Sequence, residues 1–251
     1  TDLIFNDDEK ELTLTKNSQP AIMTVSIAAL RVLINEMNVN INPACCAGHS
    51  LGEYTALAAS DVLSFRDAVQ LVHKRGIFMQ EAMPEGQGAM AAMLGLDEDG
   101  VKKLCDDLAP NGEIQPANFN SPGQVVISGL NEFIDKAIEN AKTYGAKKGV
   151  KLNVSAPFHS VYMKPAAEKL KEEFEKISWN EAKFDIIANV SAKPVKNPDE
   201  IRSSLYRQTF SPVLWQQSVA YMADTLGINN YFEIGAGDVL SGLIKRCKKG
   251  V

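Results

Sequence analysis

Ser50 stands in Gly48-His49-Ser50-Leu51-Gly52, a G-x-S-x-G pentapeptide. An apolar run, Ala44-Cys45-Cys46-Ala47, precedes it, and Glu53-Tyr54-Thr55-Ala56-Leu57-Ala58-Ala59 after it reads as a helix. Strand, tight turn and helix around this motif predict a nucleophile elbow, with the hydroxyl held where unpaired backbone N–H groups favour negative charge. A Cβ at either glycine is expected to crowd the turn. A serine needs a base to take its proton, and histidine is the usual one. His49 adjoins the serine and projects elsewhere on the turn, which suggests a structural role, and His73 lies within a helix at a solvated or half-buried position. His159, in Ala156-Pro157-Phe158-His159-Ser160, falls on a loop between a strand and a helix. Groups on loops held by rigid elements often carry chemistry, so His159 is the candidate base, against the plainer reading of an ordinary loop histidine. No acidic residue flanks it in sequence, and a backbone carbonyl is an alternative acceptor for its second ring N–H.

Arg75 is the second informative residue. Ala68, Val72, Arg75 and Met79 recur at i, i+4, i+7 and i+11, which puts the guanidinium on the apolar face of its helix. Two readings follow: a buried ion pair with Asp or Glu, or a two-pronged receptor for a substrate carboxylate. The second, joined to Ser50, gives a serine acyl-enzyme site with a cation waiting at the far end of an acidic acyl group.

These groups need elements to position them. Ser18-Gln19-Pro20 reads as the start of a helix to about residue 37, with proline at the first helical position. A further helix opens at Ser64-Phe65-Arg66-Asp67, a capping-box-like start, and runs through Met79. From 87 the expected order is strand 89–95, helix 98–108, strand 114–118, strand 124–128, helix 131–144 and strand 148–153. Pro122-Gly123 supplies the central pair of a type II turn between its middle strands. This β-α-β-β-α-β order is the ferredoxin-like unit. Pro165 then opens a helix with Leu170, Phe174 and Ile177 on one face. A strand at 185–190, a helix around 213–226, a strand at 231–234 and a helix at 238–247 complete the chain. The expected fold is α/β: an α/β-hydrolase-like domain with a mainly parallel sheet, in two parts over 1–86 and 154–251, and an inserted ferredoxin-like subdomain over 87–153.

Bulk properties narrow the classes. A chain of 251 residues with 45% hydrophobic residues can bury a substantial core, and a net charge of −5 offers no basic excess for nucleic acid. The most apolar stretch, 20–39, contains Arg31 and Glu36, so it reads as a core helix and no membrane span is expected. Residues 1–16 are studded with acidic and lysine residues, unlike a secretory leader. Cys45, Cys46, Cys105 and Cys247 show no C-x-x-C and no zinc spacing, which suits a reducing cytoplasm and no metal. The Asn-Val-Ser tripeptides at Asn153 and Asn189 matter only in a secreted protein. Gly235-Ala236-Gly237 lacks the third glycine of a dinucleotide fingerprint. The clusters Lys147, Lys148 and Lys151, and Lys245, Arg246, Lys248 and Lys249, read as solvated charge or as a dock for an acidic partner.

Further motifs accompany the elbow: Gln19-Pro20-Ala21, His73-Lys74-Arg75-Gly76, Met79-Gln80-Glu81-Ala82-Met83, Asn118-Phe119-Asn120-Ser121-Pro122-Gly123-Gln124, Phe158-His159 and Ile234-Gly235-Ala236-Gly237. Together, in order and over nearly the whole chain, they resemble the malonyl-CoA:acyl carrier protein transacylases of fatty-acid synthesis, and are similar to the acyltransferases that serve polyketide synthases. The resemblance implies ping-pong transfer from malonyl-CoA to the phosphopantetheine thiol of acyl carrier protein, with no bound cofactor. It assigns Ser50 as nucleophile, His159 as base and the Leu51 backbone N–H as an oxyanion donor. It assigns Arg75 to the malonyl carboxylate, Gln19 and Asn120 to the site's lining, and the Gln208 carbonyl to orienting the histidine. Phe158 resembles the malonyl-selecting version of its motif, where a bulky ring excludes an α-methyl group; the plain alternative is a core phenylalanine. The family begins with a strand and a Pro-Gly-Gln-Gly-Ser-Gln loop that supplies a second oxyanion donor, and this sequence starts at Thr1-Asp2-Leu3-Ile4-Phe5 without them. A serine thioesterase or acyl hydrolase on the same elbow is the alternative function, with Arg75 as the discriminating residue.

Overall fold

The computed structural model describes residues 2–6, 10–154, 156–248 and 250. The elements that frame the site are, in chain order, α1 (Thr15–Arg31), β1 (Cys45–Ala47), α2 (Leu51–Ala59), α3 (Phe65–Glu81), β2 (Gly88–Leu94), α4 (Glu98–Leu108), β3 (Ile114–Ser121), β4 (Gln124–Leu130), α5 (Asn131–Asn140), β5 (Lys148–Lys151), α6 (Lys164–Phe174), β6 (Asp185–Ala188), β7 (Lys193–Val195), α7 (Pro198–Gln208), α8 (Trp215–Ala220) and α9 (Val239–Cys247).

Two sheets result, and neither is the mainly parallel sheet expected from sequence. One has the order β1-β6-β7, with β1 parallel to β6 and β6 antiparallel to β7. The short connection between β6 and β7, which turns at Ala192 (φ 52°), leaves room only for an antiparallel return. The other has the order β3-β4-β2-β5 and is antiparallel throughout. Its strands and helices follow the chain order read from the sequence. They enclose an apolar core of their own that includes Met93, Leu104, Ile127 and Ile134. Gly123, at φ 71°, occupies the turn position that requires glycine between β3 and β4. A separate cluster beneath the first sheet joins Met23, Tyr54, Leu57, Val72, Leu170 and Phe174. The two parts meet at β3: Phe119 N–H donates to Val213 O and Val213 N–H to Ala117 O, both at 2.9 Å.

Local chemistry explains most boundaries. Ser64 Oγ accepts from Asp67 N–H at 3.0 Å at the start of α3, as the capping-box reading requires. Asp97 caps α4 through Gly100 N–H. Pro20, by contrast, lies inside α1 and not at its first position. The Lys16 carbonyl, which a proline at 20 deprives of its i+4 donor, accepts instead from His73 Nδ1 at 2.8 Å. Close packing of α1 on α3 permits this: a Cβ on Gly76 would stand 2.5 Å from Lys16 Cα. The strand expected at 231–234 does not form. Glu233 turns its carboxylate to the N–H groups of Leu240 and Ser241 at 3.0 and 2.7 Å, satisfying the open end of α9. Helix α7 and strand β7 had no counterpart in the sequence reading. Among the described residues no helix is long and apolar enough to cross a membrane.

Candidate active site

The elbow is built from β1, a turn and α2. Ser50 is the residue before α2 and holds φ 51°, ψ −103°, a conformation disfavoured for a side-chain-bearing residue. Gly48 is required there, since a Cβ on it would lie 2.1 Å from the Gly52 carbonyl group. Gly52 is not: a Cβ at that position meets open space, contrary to the expectation that both glycines relieve crowding. Asn189, one residue past β6, clamps the turn from both ends. Its Oδ1 accepts from Ser50 N–H at 2.7 Å, and its Nδ2 donates to Gly48 O at 2.8 Å. Leu51, the first residue of α2, has no intrahelical acceptor for its N–H, which makes that group a ready oxyanion donor.

His159 Nε2 lies 2.8 Å from Ser50 Oγ. Its Nδ1 lies 2.8 Å from the Gln208 backbone carbonyl. A carbonyl only accepts, so Nδ1 carries the hydrogen and Nε2 presents its lone pair to the hydroxyl. Burial and the nearby Arg75 charge lower the imidazole pKa to about 3, which keeps the ring neutral and able to take a proton. The candidate base is therefore oriented without a carboxylate. His159 itself sits at φ 58°, and Gln115 of β3 braces its loop by accepting from Val161 N–H at 3.1 Å and approaching His159 O at 3.5 Å.

Arg75 is 1% exposed on the buried face of α3. The ion-pair reading fails, because its hydrogen-bond partners are neutral oxygens. Nη1 donates to Gln19 Oε1 at 2.6 Å, and Nη2 donates to Gln208 Oε1 and to Ser50 Oγ, both at 3.0 Å. The Tyr54 ring lies 5.2 Å from the guanidinium carbon. Charge is thus stored beside the nucleophile with no counter-ion in direct contact among the described residues. Asn120 reaches the elbow through His49, whose Nε2 donates to its Oδ1 at 2.8 Å, and the His49 ring packs on Trp215. Phe158 precedes His159, but its ring packs at the junction of two apolar clusters, with Met79 and Met163 in one and Met90 and Ala117 in the other.

Two participants escaped the sequence reading. Glu53 is 1% exposed, and its Oε2 accepts from Gln208 Nε2 at 2.9 Å and Asn189 N–H at 3.1 Å. A carboxylate one helical turn from Leu57, on the apolar side of α2, is the same signal that exposed Arg75. In the sequence Asn189 stands out only as the first residue of an Asn-Val-Ser tripeptide. The cysteines are free, and burial raises their thiols, Cys45 and Cys247 to about 11 and Cys105 to about 12, so they pack as apolar groups. Of the basic clusters, Lys151 pairs with Asp135 and Lys248 with Asp224, while Lys249 lies outside the described residues. Among the described residues no group of His, Cys, Asp and Glu has the arrangement of a metal site.

The model of the acyl transferase domain family matches residues 1–235. The malonyl CoA-acyl carrier protein transacylase of Bacillus subtilis (strain 168) is 47% identical over 248 residues, 98% of this chain and 77% of that protein. The crystal structure of an acyl carrier protein S-malonyltransferase from Vibrio cholerae superposes with a TM-score of 0.95 at 39% identity, covering 100% of this chain and 81% of the other. A malonyl-transacylase solved in complex with its type II PKS acyl-carrier protein gives a TM-score of 0.94 at 41% identity, over 99% and 80% of the two chains.

Proposed function

The chain belongs to the acyl transferase domain family, and from that premise we propose that it moves a malonyl group from malonyl-CoA to the phosphopantetheine thiol of an acyl carrier protein through an ester on Ser50. The observation that carries this reading is the meeting of Ser50 Oγ with both a neutral imidazole and an unpaired buried guanidinium. In the first half-reaction His159 Nε2 takes the hydroxyl proton as Oγ attacks the thioester carbon. The Leu51 N–H receives the negative charge that develops on the carbonyl oxygen, a contribution of about 3 kcal/mol for such a donor. The C–S bond breaks, and the departing sulfur takes the proton from His159. In the second half-reaction the carrier thiol gives its proton to His159 and attacks the ester, and Oγ leaves with that proton. The reading calls for no bound cofactor or metal, because these residues supply every proton and charge the exchange needs.

Arg75 selects the acyl group. A guanidinium nitrogen 3.0 Å from Oγ is within reach of a distal carboxylate only when few bonds separate it from the ester, as in a malonyl group. Gln19 and Gln208 hold the fork, and Phe158 beside the base limits branching at the acyl α-carbon. In the same reading the outer parts, 1–86 and 154–251, form an α/β-hydrolase-like domain and 87–153 a ferredoxin-like insert; the insert's separate apolar core supports this division. Four free cysteines support a cytoplasmic setting.

The test is incubation with malonyl-CoA and holo carrier protein, followed by mass spectrometry. Malonylated carrier is expected; release of free malonate with the carrier unmodified would instead mark an acyl hydrolase. Arg75→Ala should lower malonyl transfer by roughly 100-fold, the loss of a charge-assisted pair, while sparing acetyl transfer. Equal transfer of malonyl by both proteins would remove Arg75 from substrate recognition.

A further inference from the structure

Gln208 touches His159, Ser50, Glu53 and Arg75 through one backbone and two side-chain atoms. Its main-chain carbonyl accepts from His159 Nδ1, its Nε2 donates to Ser50 O and Glu53 Oε2, and its Oε1 accepts from Arg75 Nη2. A carboxamide is nearly symmetric in shape, so only its neighbours fix which end points where. Turned over, it would put N–H groups against the guanidinium, donor against donor, and its oxygen against the Ser50 carbonyl. Glu53 stands where this choice is made. It belongs to α2, Gln208 ends α7 and Asn189 follows β6, so one oxygen of Glu53 ties three elements together.

Resting on the acyl-transfer reading, we propose that Glu53 is a positioning residue: its Oε2, accepting from Gln208 Nε2 and Asn189 N–H together, locks the Gln208 amide so that Arg75 is aimed at the acyl group. The arrangement also explains why Arg75 keeps its charge for substrate. A buried carboxylate and a buried guanidinium share the site, yet the Gln208 amide stands between them and prevents a direct pair. Burial pushes the Glu53 carboxyl up to about 7, against the opposing pull of its two hydrogen bonds and of Arg75, as expected for a group retained in an enclosed place.

The experiment compares acylation by malonyl-CoA and acetyl-CoA, read as CoA release, for the wild type, Glu53→Met and Glu53→Gln, with a thermal melt of each. Glu53→Met keeps the volume but removes both acceptor oxygens. Malonyl acylation should fall roughly 10- to 100-fold, the range expected when buried donors lose their acceptor. The preference for malonyl over acetyl should shrink with it, because Arg75 loses its aim. Glu53→Gln returns an acceptor oxygen and should recover most of both. A Glu53→Met protein with unchanged preference, or a Glu53→Gln protein no better than Glu53→Met, overturns the proposal. Should Glu53→Met show no cooperative melt, Glu53→Asp, which withdraws the carboxylate by one methylene, carries the same expectation at smaller size, and an unchanged preference there is equally fatal. A wild type that acquires no acyl group defeats the transfer reading itself, whereas an active wild type with indifferent Glu53 variants defeats only this inference.

Discussion

Ser50 and His159 both sit at positive φ, 51° and 58°, and face each other at 2.8 Å, but the two halves of the site are held by different means. The serine half is enclosed by buried polar atoms. Asn189 binds the turn on both sides, Gln208 takes its carbonyl, and Glu53 joins the two. The histidine half is a buried loop: the Gln208 carbonyl anchors the ring, Ser160 Oγ donates to Pro157 O at 2.6 Å within the loop, and Gln115 braces it from the other sheet. Most bonds that hold the strained turn come from α2, α7 and the end of β6, and Asn120 of the antiparallel unit adds one through His49. The base depends on how the antiparallel unit sits against the elbow.

Substitutions can break this contrast in graded steps. His159→Ala removes the base and should slow acylation about 1,000-fold, a larger effect on rate than on stability, as measured by single-turnover CoA release and a thermal melt. The opposite balance is expected for Asn189→Ala. Leaving Ser50 N–H and Gly48 O without partners should cost about 2–3 kcal/mol of stability in denaturant titration, with acylation reduced roughly tenfold. Gln115→Ala loosens only the histidine loop and should cost about 1 kcal/mol or less, with a severalfold loss of rate. A Gln115 variant more damaging to stability than the Asn189 variant would reverse the comparison.

The smallest expected effect is with pH. A histidine lowered to about 3 stays neutral far below its usual range, so its Nε2 lone pair is available above that value and is lost only on strong acidification. Glu53, raised to about 7, changes charge in the neutral range, so the profile is cleanest in a Glu53→Gln background. There the acylation rate should be flat between pH 5.5 and 7.5, and a half-loss near 6.5 would mean that His159 is solvated during turnover.

Local signals made part of this site legible. Strand, turn and helix announced the elbow, and the i, i+4, i+7 spacing put Arg75 inside, because both depend on residues within a few turns of one another. Glu53, one helical turn before Leu57, carries the same signal. The bonds that join Glu53, Asn189 and Gln208 link positions 136 and 155 residues apart, and no local pattern announces them. The two prolines Pro20 and Pro198 carry opposite meanings. Pro20 marks no helix start, since His73 relieves the carbonyl it orphans, whereas Asn197-Pro198 was a real capping signal for α7. The 231–234 segment has strand composition, but Glu233 is committed to the end of α9 and the segment joins no sheet among the described residues.

The central claim is that Ser50 carries the acyl group beside His159 and Arg75. Brief mixing with malonyl-CoA in the absence of carrier protein, acid quenching and peptide mapping by mass spectrometry test it most directly. The account predicts one malonyl ester, on Ser50, absent from Ser50→Ala and strongly reduced in Arg75→Ala. An unmodified Ser50 peptide, or a malonyl group on any other residue that survives in Ser50→Ala, would contradict it.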